Sequence, residues 1–398
     1  MQRFNSLRPS QLAAIALTGS LTVAAPASAA RFTAAEIGYD SALLSNFNLV
    51  TLGTLNATQS VSTEGRVLVE GALSISAFKT YGACSSIACA GNAATAVDPT
   101  GLNYGALTVF GNLQATAATL QAGFNVTSAN RTANGNTAYI NGTVAGTFQA
   151  NGTTATTGAD ININGSGSGL TVNVARKITT TSAYLGTTTG STANRSFSTA
   201  SAATVFPFST TALTSEINHL AQGIANLPGT PQTLPPQTNG MFTAAADWTS
   251  NGQTYGVITT TMATLAGQTN FTGINNGTNA ATFVVVTGDG ANYTLPNLNS
   301  YADAGKVIFE FVDATTLKFA GAWNGSILAP LATITTMGGA ISGTVIVNAI
   351  TQSQNITSAN MFIGNLTGLV PEPASMTLFG LGTAAAVFVR RRRVSEPG

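Results

Sequence analysis

Titratable and nucleophilic side chains are few in this chain, and they are spread thinly. Only 7% of its 398 residues are charged, against roughly 25% in an ordinary globular protein. A carbohydrate-active enzyme needs carboxylates gathered around a cation or a sugar and a Lys or Arg to act as base. Here Asp98, Asp160, Asp247, Asp289, Asp303, Glu310 and Asp313 stand singly. The nearest approach to a cluster is Asp160 with Arg176 and Lys177, which one turn of a coiled chain could bring together. His219 is the single histidine. It lies at the polar flank of a helical stripe, where a solvated side chain is expected rather than a base or a ligand. Serines abound, but no Gly-x-Ser-x-Gly elbow sits between a strand and a helix. Gly165-Ser-Gly-Ser-Gly169 lacks the Lys and the following helix of a phosphate loop and reads as a turn. Cys84 and Cys89 have four residues between them. In an exported chain they read as a local disulfide, and a metal would need two further ligands that are not at hand. These residues imply no enzyme, no cofactor and no metal site.

The elements that would position such residues are mostly short strands. Phe47–Leu52 and Gly65–Glu70 are strand candidates. From Tyr104 to about Val174 brief β-branched runs alternate with Gly111-Asn112, Asn141-Gly142 and Asn164-Gly165. Such turns suit hairpins, but strands this short, repeated this often, suit the coils of a parallel β-helix at least as well. Leu213, Ile217, Leu220, Ile224 and Leu227 are spaced 4-3-4-3 and predict one helix, stopped by Pro228-Gly229. Leu234-Pro-Pro236 follows as an extended connector. Thr282–Thr287 is a continuous apolar run, expected of a strand covered on both faces. Lys306–Val312 buries Val307, Phe309 and Phe311 on one face and sets Glu310 between Ile308 and Val312 on the other. Trp323–Thr333 and Gly339–Asn348 complete the series, at starts roughly 16 to 17 residues apart.

Both chain ends carry addresses. Arg3 and Arg8, the apolar run Leu12–Ala25 and Ala27-Ser28-Ala29 form a secretory signal peptide over residues 1–29. Near the other end, Val370-Pro-Glu-Pro-Ala-Ser375 precedes the uncharged run Ala374–Val389 and then Arg390, Arg391, Arg392 and Arg393, with 394–398 as a short tail. As a helix that run spans about 24 Å, a little under the bilayer core, which snorkelling arginines would cover. The arginines stay in the cytoplasm and the body lies outside. Between Ala30 and Val370 there are nine Lys/Arg and twelve Asp/Glu. A body of about −3 has no basic stripe for nucleic acid.

The three-part tail resembles a PEP-CTERM sorting signal. That resemblance implies a Gram-negative host and an exosortase partner that recognises Pro371, Glu372 and Pro373. The protein would be held in the inner membrane in passing and then released or re-attached at the surface. A second resemblance rests on Phe47–Gly53, Ser62-Thr-Glu-Gly-Arg66 with Val67–Gly71, Gly325-Ser-Ile-Leu-Ala-Pro330 with Ala332-Thr333, and Gly339–Asn348. These look like the choice-of-anchor A domain, spread over nearly all of residues 30–369. Val69-Glu70-Gly71 departs from the pattern where the family shows paired glycines. The order of β coils, helix, then β coils is also similar to ice-binding solenoids. It implies a right-handed parallel β-helix with the 213–227 helix along one side. The function expected is a structural or adhesive surface or matrix protein that touches exopolysaccharide. An ice- or crystal-binding solenoid is the alternative, and a β-helix carbohydrate enzyme is the weaker third.

Overall fold

The structure is a computed structural model. It describes residues 32–77, 79–81, 105–122, 137–150, 160–165, 170–173, 177–182, 187–189, 196–227, 231–238, 240–299 and 301–369. The signal peptide, Cys84, Cys89, Asp98, Arg176 and the tail from Val370 onward lie outside the described residues. No helix among the described residues is long and apolar enough to cross a membrane.

The protein is mainly β, and its sheet is overwhelmingly parallel. The longest ladder begins at Gln232–Thr233 and continues through Gln253–Thr261, Ala281–Thr287, Val307–Phe311, Ser326–Met337 and Val345–Gln352. There it crosses to the beginning of the body: Val345 pairs with Leu49 of Phe47–Thr51. Arg66–Val69, Leu107–Val109, Ala138–Ile140, Asp160–Ile163, Lys177–Thr180 and Ser196–Thr199 follow. In space the described strands form one continuous stack that starts at residue 232, joins the first and last long strands of the body in the middle, and finishes at residue 199. A second ladder joins Val345–Gln352, Leu55–Ala57, Leu73–Ile75, Leu113–Ala122 and Val144–Ala150. Trp248–Ser250 against Gln253–Thr261 is the antiparallel exception among the described strands.

The Asn-Gly and Gly-Asn pairs mark corners between ladders. Gly71 N donates to Gly53 O at 2.9 Å, Gly111 N to Gly71 O at 3.0 Å, and Gly142 N to Gly111 O at 3.1 Å. A Cβ on Gly111 would stand 2.5 Å from Gly71 O, so only hydrogen lets successive corners stack this closely. The step between rungs varies. Ile308 pairs with Ser326 and Ile327 with Val345, each 18 residues on rather than 16 to 17. Val67 pairs with Leu107 40 residues on, and Ile161 with Ile178 17 residues on. Excursions of unequal length leave from otherwise equal rungs, which explains why no period shows in the sequence.

Alternate residues face two cores. Leu49, Val67, Leu107, Ile140, Val307, Phe309, Ile327 and Val345 fill the interior of the stack, with Trp323 at its heart. Val50, Leu68, Phe283, Ile308, Leu328 and Ile346 face outward and are covered by two helices. Helix α1 is Ala34–Asn46 and helix α2 is Thr210–Ala225. The 4-3-4-3 stripe of α2 lies against the sheet, with Leu213, Ile217, Leu220 and Ile224 at most 1% exposed. Sixteen helical residues span about 24 Å, about five rungs at ~4.8 Å each. That matches the run from the Arg66–Val69 rung, where Thr214 touches Glu70, to the rung at Ala281–Thr287. Upstream, Phe206 and Phe208 extend the cover onto Phe110 and Tyr139. The return helix is thus a consequence of topology: the chain must travel from residue 199 back to residue 232 along the stack.

Candidate interaction face

The second ladder presents an uncharged outer face. Along it Leu55, Ala57, Leu73, Ile75, Leu113 and Ala115 point into the core. Period-2 alternation then turns Asn56, Ser74 and Gln114 outward, and they are register partners across adjacent rungs. Thr351 precedes Asn56 in the row and Ala145 follows Gln114. The corner column beside it carries Thr54, Ala72, Asn112 and Thr143, all exposed. Asn112 Oδ1 accepts from Thr143 N at 2.8 Å and from its Oγ1 at 3.0 Å, and Asn164 Nδ2 donates to Asn141 Oδ1 at 2.6 Å. Side chains locked in this way present donors and acceptors at fixed spacing. Threonines are not in register here: the row reads Thr, Asn, Ser, Gln, Ala.

The acids singled out in the sequence do not converge into one cluster among the described residues. Asp160 and Lys177 are direct partners on adjacent strands, as the coil spacing suggested. Most of the other acids are taken up by local backbone. Asp247 accepts from Val257 N at 3.0 Å, Asp303 from Asn276 N at 3.0 Å, and Asp289 from Thr315 N and Oγ1. The Thr315 hydrogen bonds hold the Asp289 carboxyl below its ordinary range. Glu310 is 1% exposed, set between Val285 and Leu328 on neighbouring rungs, and burial pushes it well above the ordinary carboxylate value.

One constellation escaped the sequence pattern because it joins two helices far apart in the chain. Glu36 on α1 and Glu216 and His219 on α2 bring their ligand atoms within 4.8 Å of one another. His219 is not a solvated side chain. It is half-buried, its ring stands edge-on to Phe32 at 5.3 Å, and its Nδ1 lies 3.8 Å from Glu36 Oε1 with no hydrogen-bond partner. Thr33 and Glu36 close a capping box, with Thr33 N donating to Glu36 Oε2. Thr33-x-x-Glu36 was the available signal for α1, which the hydrophobic spacing did not announce. One turn on, Asp40 is fully buried and neither carboxylate oxygen has a partner. Burial first, then Glu216 and Glu36, push its carboxyl up to about 8.

The motifs read from sequence cluster where the two halves of the stack meet. Glu64 Oε2 accepts from Ser358 N and Oγ, both at 2.9 Å, across 294 residues. Gly325 takes φ +120 at the corner before Ser326, whose Oγ accepts from Thr344 N. Thr344 Oγ1 donates to Leu44 O at the end of α1. Glu70, in place of the first of two glycines, accepts from Thr214 of α2 at 2.6 Å.

A family model described as "Putative Ice-binding-like adhesive domain" matches residues 40–358, and one described as "PEP-CTERM protein-sorting motif" matches residues 369–393. No curated protein and no solved structure matches the chain.

Proposed function

The chain belongs to the ice-binding-like adhesive domain family and ends in a PEP-CTERM sorting motif, and on that premise we propose how it is deployed and what it touches. It is an exported surface adhesive protein. Residues 1–29 direct export, the segment 374–389 with Arg390–Arg393 holds the chain transiently in the inner membrane, and an exosortase reads Pro371, Glu372 and Pro373. Cys84 and Cys89 form a local disulfide outside the cell. The body, residues 30–369, is one choice-of-anchor A-type domain, and its stacked parallel ladders are read as a right-handed β-helix.

The observation that carries the ligand class is the uncharged face of Thr54, Asn56, Ala72, Ser74, Asn112, Gln114 and Thr143: polar but for Ala72, exposed but for the half-buried Ser74, and regularly spaced. Hydroxyl and amide groups of this kind exchange hydrogen bonds with the hydroxyls of an exopolysaccharide at little desolvation cost. A regular threonine array, which an ice-binding face would need, does not occur in this row. The test compares the chain with a variant carrying Asn56→Ala, Ser74→Ala and Gln114→Ala. Retention on immobilised host exopolysaccharide should fall at least tenfold in the variant, with unchanged unfolding. Equal retention by both proteins refutes the face, and growth arrest of ice crystals by the parent alone supports the ice-binding alternative. Deleting the exosortase should leave the uncut protein in the inner membrane; delivery of the body outside the cell regardless defeats the sorting assignment.

A further inference from the structure

The seam between α1 and α2 gathers three acids and an imidazole. Glu36 and Glu216 are half-buried beside His219, and Asp40, one helical turn from Glu36 on the same face, is sealed from water with both oxygens unpartnered. Glu310 is also buried and Glu70 half-buried, but Glu70 has its Thr214 donor and Glu310 stands alone among apolar rungs. Among the described residues, several acids and an imidazole converge only at the seam. Buried carboxylates without donors are costly and are ordinarily paired or bound to a metal. Among the described residues no Lys or Arg is paired with these three acids.

We propose that Glu36, Glu216 and His219 bind a divalent transition-metal ion of the Zn2+ class, with the buried Asp40 carboxyl behind them supplying balancing charge. The geometry fits without backbone movement. Donors around one tetrahedral ion at about 2.0–2.2 Å lie about 3.3–3.6 Å apart; His219 Nδ1 and Glu36 Oε1 are 3.8 Å apart and all three ligand atoms lie within 4.8 Å of one another, so side-chain rotation alone closes the site. The donor set selects the metal class. An imidazole nitrogen suits Zn2+ and its neighbours, whereas Ca2+ and Mg2+ take oxygen ligands. Glu36 is pre-oriented, because Thr33 N holds Oε2 and leaves Oε1 facing His219; outer partners of this kind fix a metal ligand in place. Phe32 walls the imidazole on one side. A bound ion would cross-link α1, which runs directly into the middle of the ladder at Phe47, to the return helix α2. It would therefore clamp the two halves of the stack.

The experiment uses the full chain purified in detergent, stripped with EDTA and with Cys84 and Cys89 reduced and then alkylated, so that sulfur cannot compete for metal. Zn2+ alone is titrated calorimetrically and by thermal unfolding. One equivalent should bind with a Kd tighter than about 10 µM and raise Tm. His219→Gln and Glu216→Gln should each weaken binding at least tenfold and abolish the rise in Tm, while their metal-free circular dichroism matches the parent. Co2+ in place of Zn2+ should give a visible spectrum that His219→Gln alters. Absence of saturable binding overturns the proposal, as does binding that both variants leave undiminished. A substitution that unfolds the chain is replaced by Asp40→Asn, which leaves the three ligands intact and should also weaken Zn2+; unchanged affinity there removes Asp40 from the site.

Discussion

Thr214 Oγ1 on the return helix donates to Glu70 Oε2 on the corner of a ladder rung at 2.6 Å, across 144 residues of chain. Burial raises the Glu70 carboxyl and this bond lowers it again. Thr214→Val keeps the shape of the side chain and deletes the donor. Stability to urea should fall by about 1–2 kcal/mol, the cost of a partly buried acceptor left without its partner. Thr214→Ser should restore most of it, and in a Glu70→Gln background the Val substitution should cost less. Equal losses in both backgrounds would show that the bond does not couple helix to ladder.

Two glycine-to-alanine changes should act in opposite directions. At Gly111 the new Cβ would lie 2.5 Å from Gly71 O, backbone that cannot move without breaking the corner column. Several kcal/mol should be lost, enough to reduce soluble yield. At Gly38, inside α1, nothing lies within 4 Å, and alanine should add about 0.5–1 kcal/mol through helix propensity. Thermal melts of the two variants decide the matter.

Glu310 makes stability depend on pH with a defined sign. Its folded-state pKa is raised well above 4.5 by burial, so above about pH 4.5 the folded chain retains a proton that the unfolded chain releases. Stability therefore falls as pH rises from that point, until Glu310 itself ionises in the folded state. Glu310→Gln should lessen this slope, leaving the part due to Asp40, whose carboxyl is pushed up to about 8, and should stabilise the protein at neutral pH. Lys79, fully buried and pushed down to about 8, acts in the alkaline window instead: stability rises from about pH 8 towards the ordinary lysine value of 10.5. Denaturant midpoints from pH 4 to pH 10 in EDTA test both arms.

Adhesion through an uncharged face should resist salt. Raising NaCl from about 0.05 M to about 0.5 M shortens the screening length several-fold, yet none of the exposed residues in the row from Thr54 to Thr143 carries charge. Retention on polysaccharide should change less than twofold. A tenfold drop would move the contact to charged residues such as Lys177.

How much of this was legible in advance depends on the range of the information. The α2 stripe, the buried run around Val284 and the inward face of Val307, Phe309 and Phe311 follow from local periodicity, and all three stand as read. The corner glycines could be seen as turns, but not as a stacked column, because their spacing in sequence is irregular. The seam between Leu49 and Val345 could not be seen at all, since no local rule pairs residues from opposite ends of the body. The acidic seam was hidden for the same reason: Glu36 and His219 mean little apart. Glu70, read as a break in a glycine pattern, is the residue through which this chain fastens its helix.

The last described residues do not leave from the middle of the stack, where Phe47–Thr51 meets Val345–Gln352. Ile363 N donates to Gly305 O, Asn365 N to Ala280 O, and Gly368 N to Tyr255 Oη at 3.0 Å. The chain thus walks back along the stack to the second rung from the end at Gln232–Thr233. The polar row reaches its far limit at Ala145, eight rungs beyond the Tyr255 strand, or about 38 Å at ~4.8 Å per rung. The body is thus its own spacer: the last described residues lie near one tip of the stack, and the polar row extends away from them toward the other.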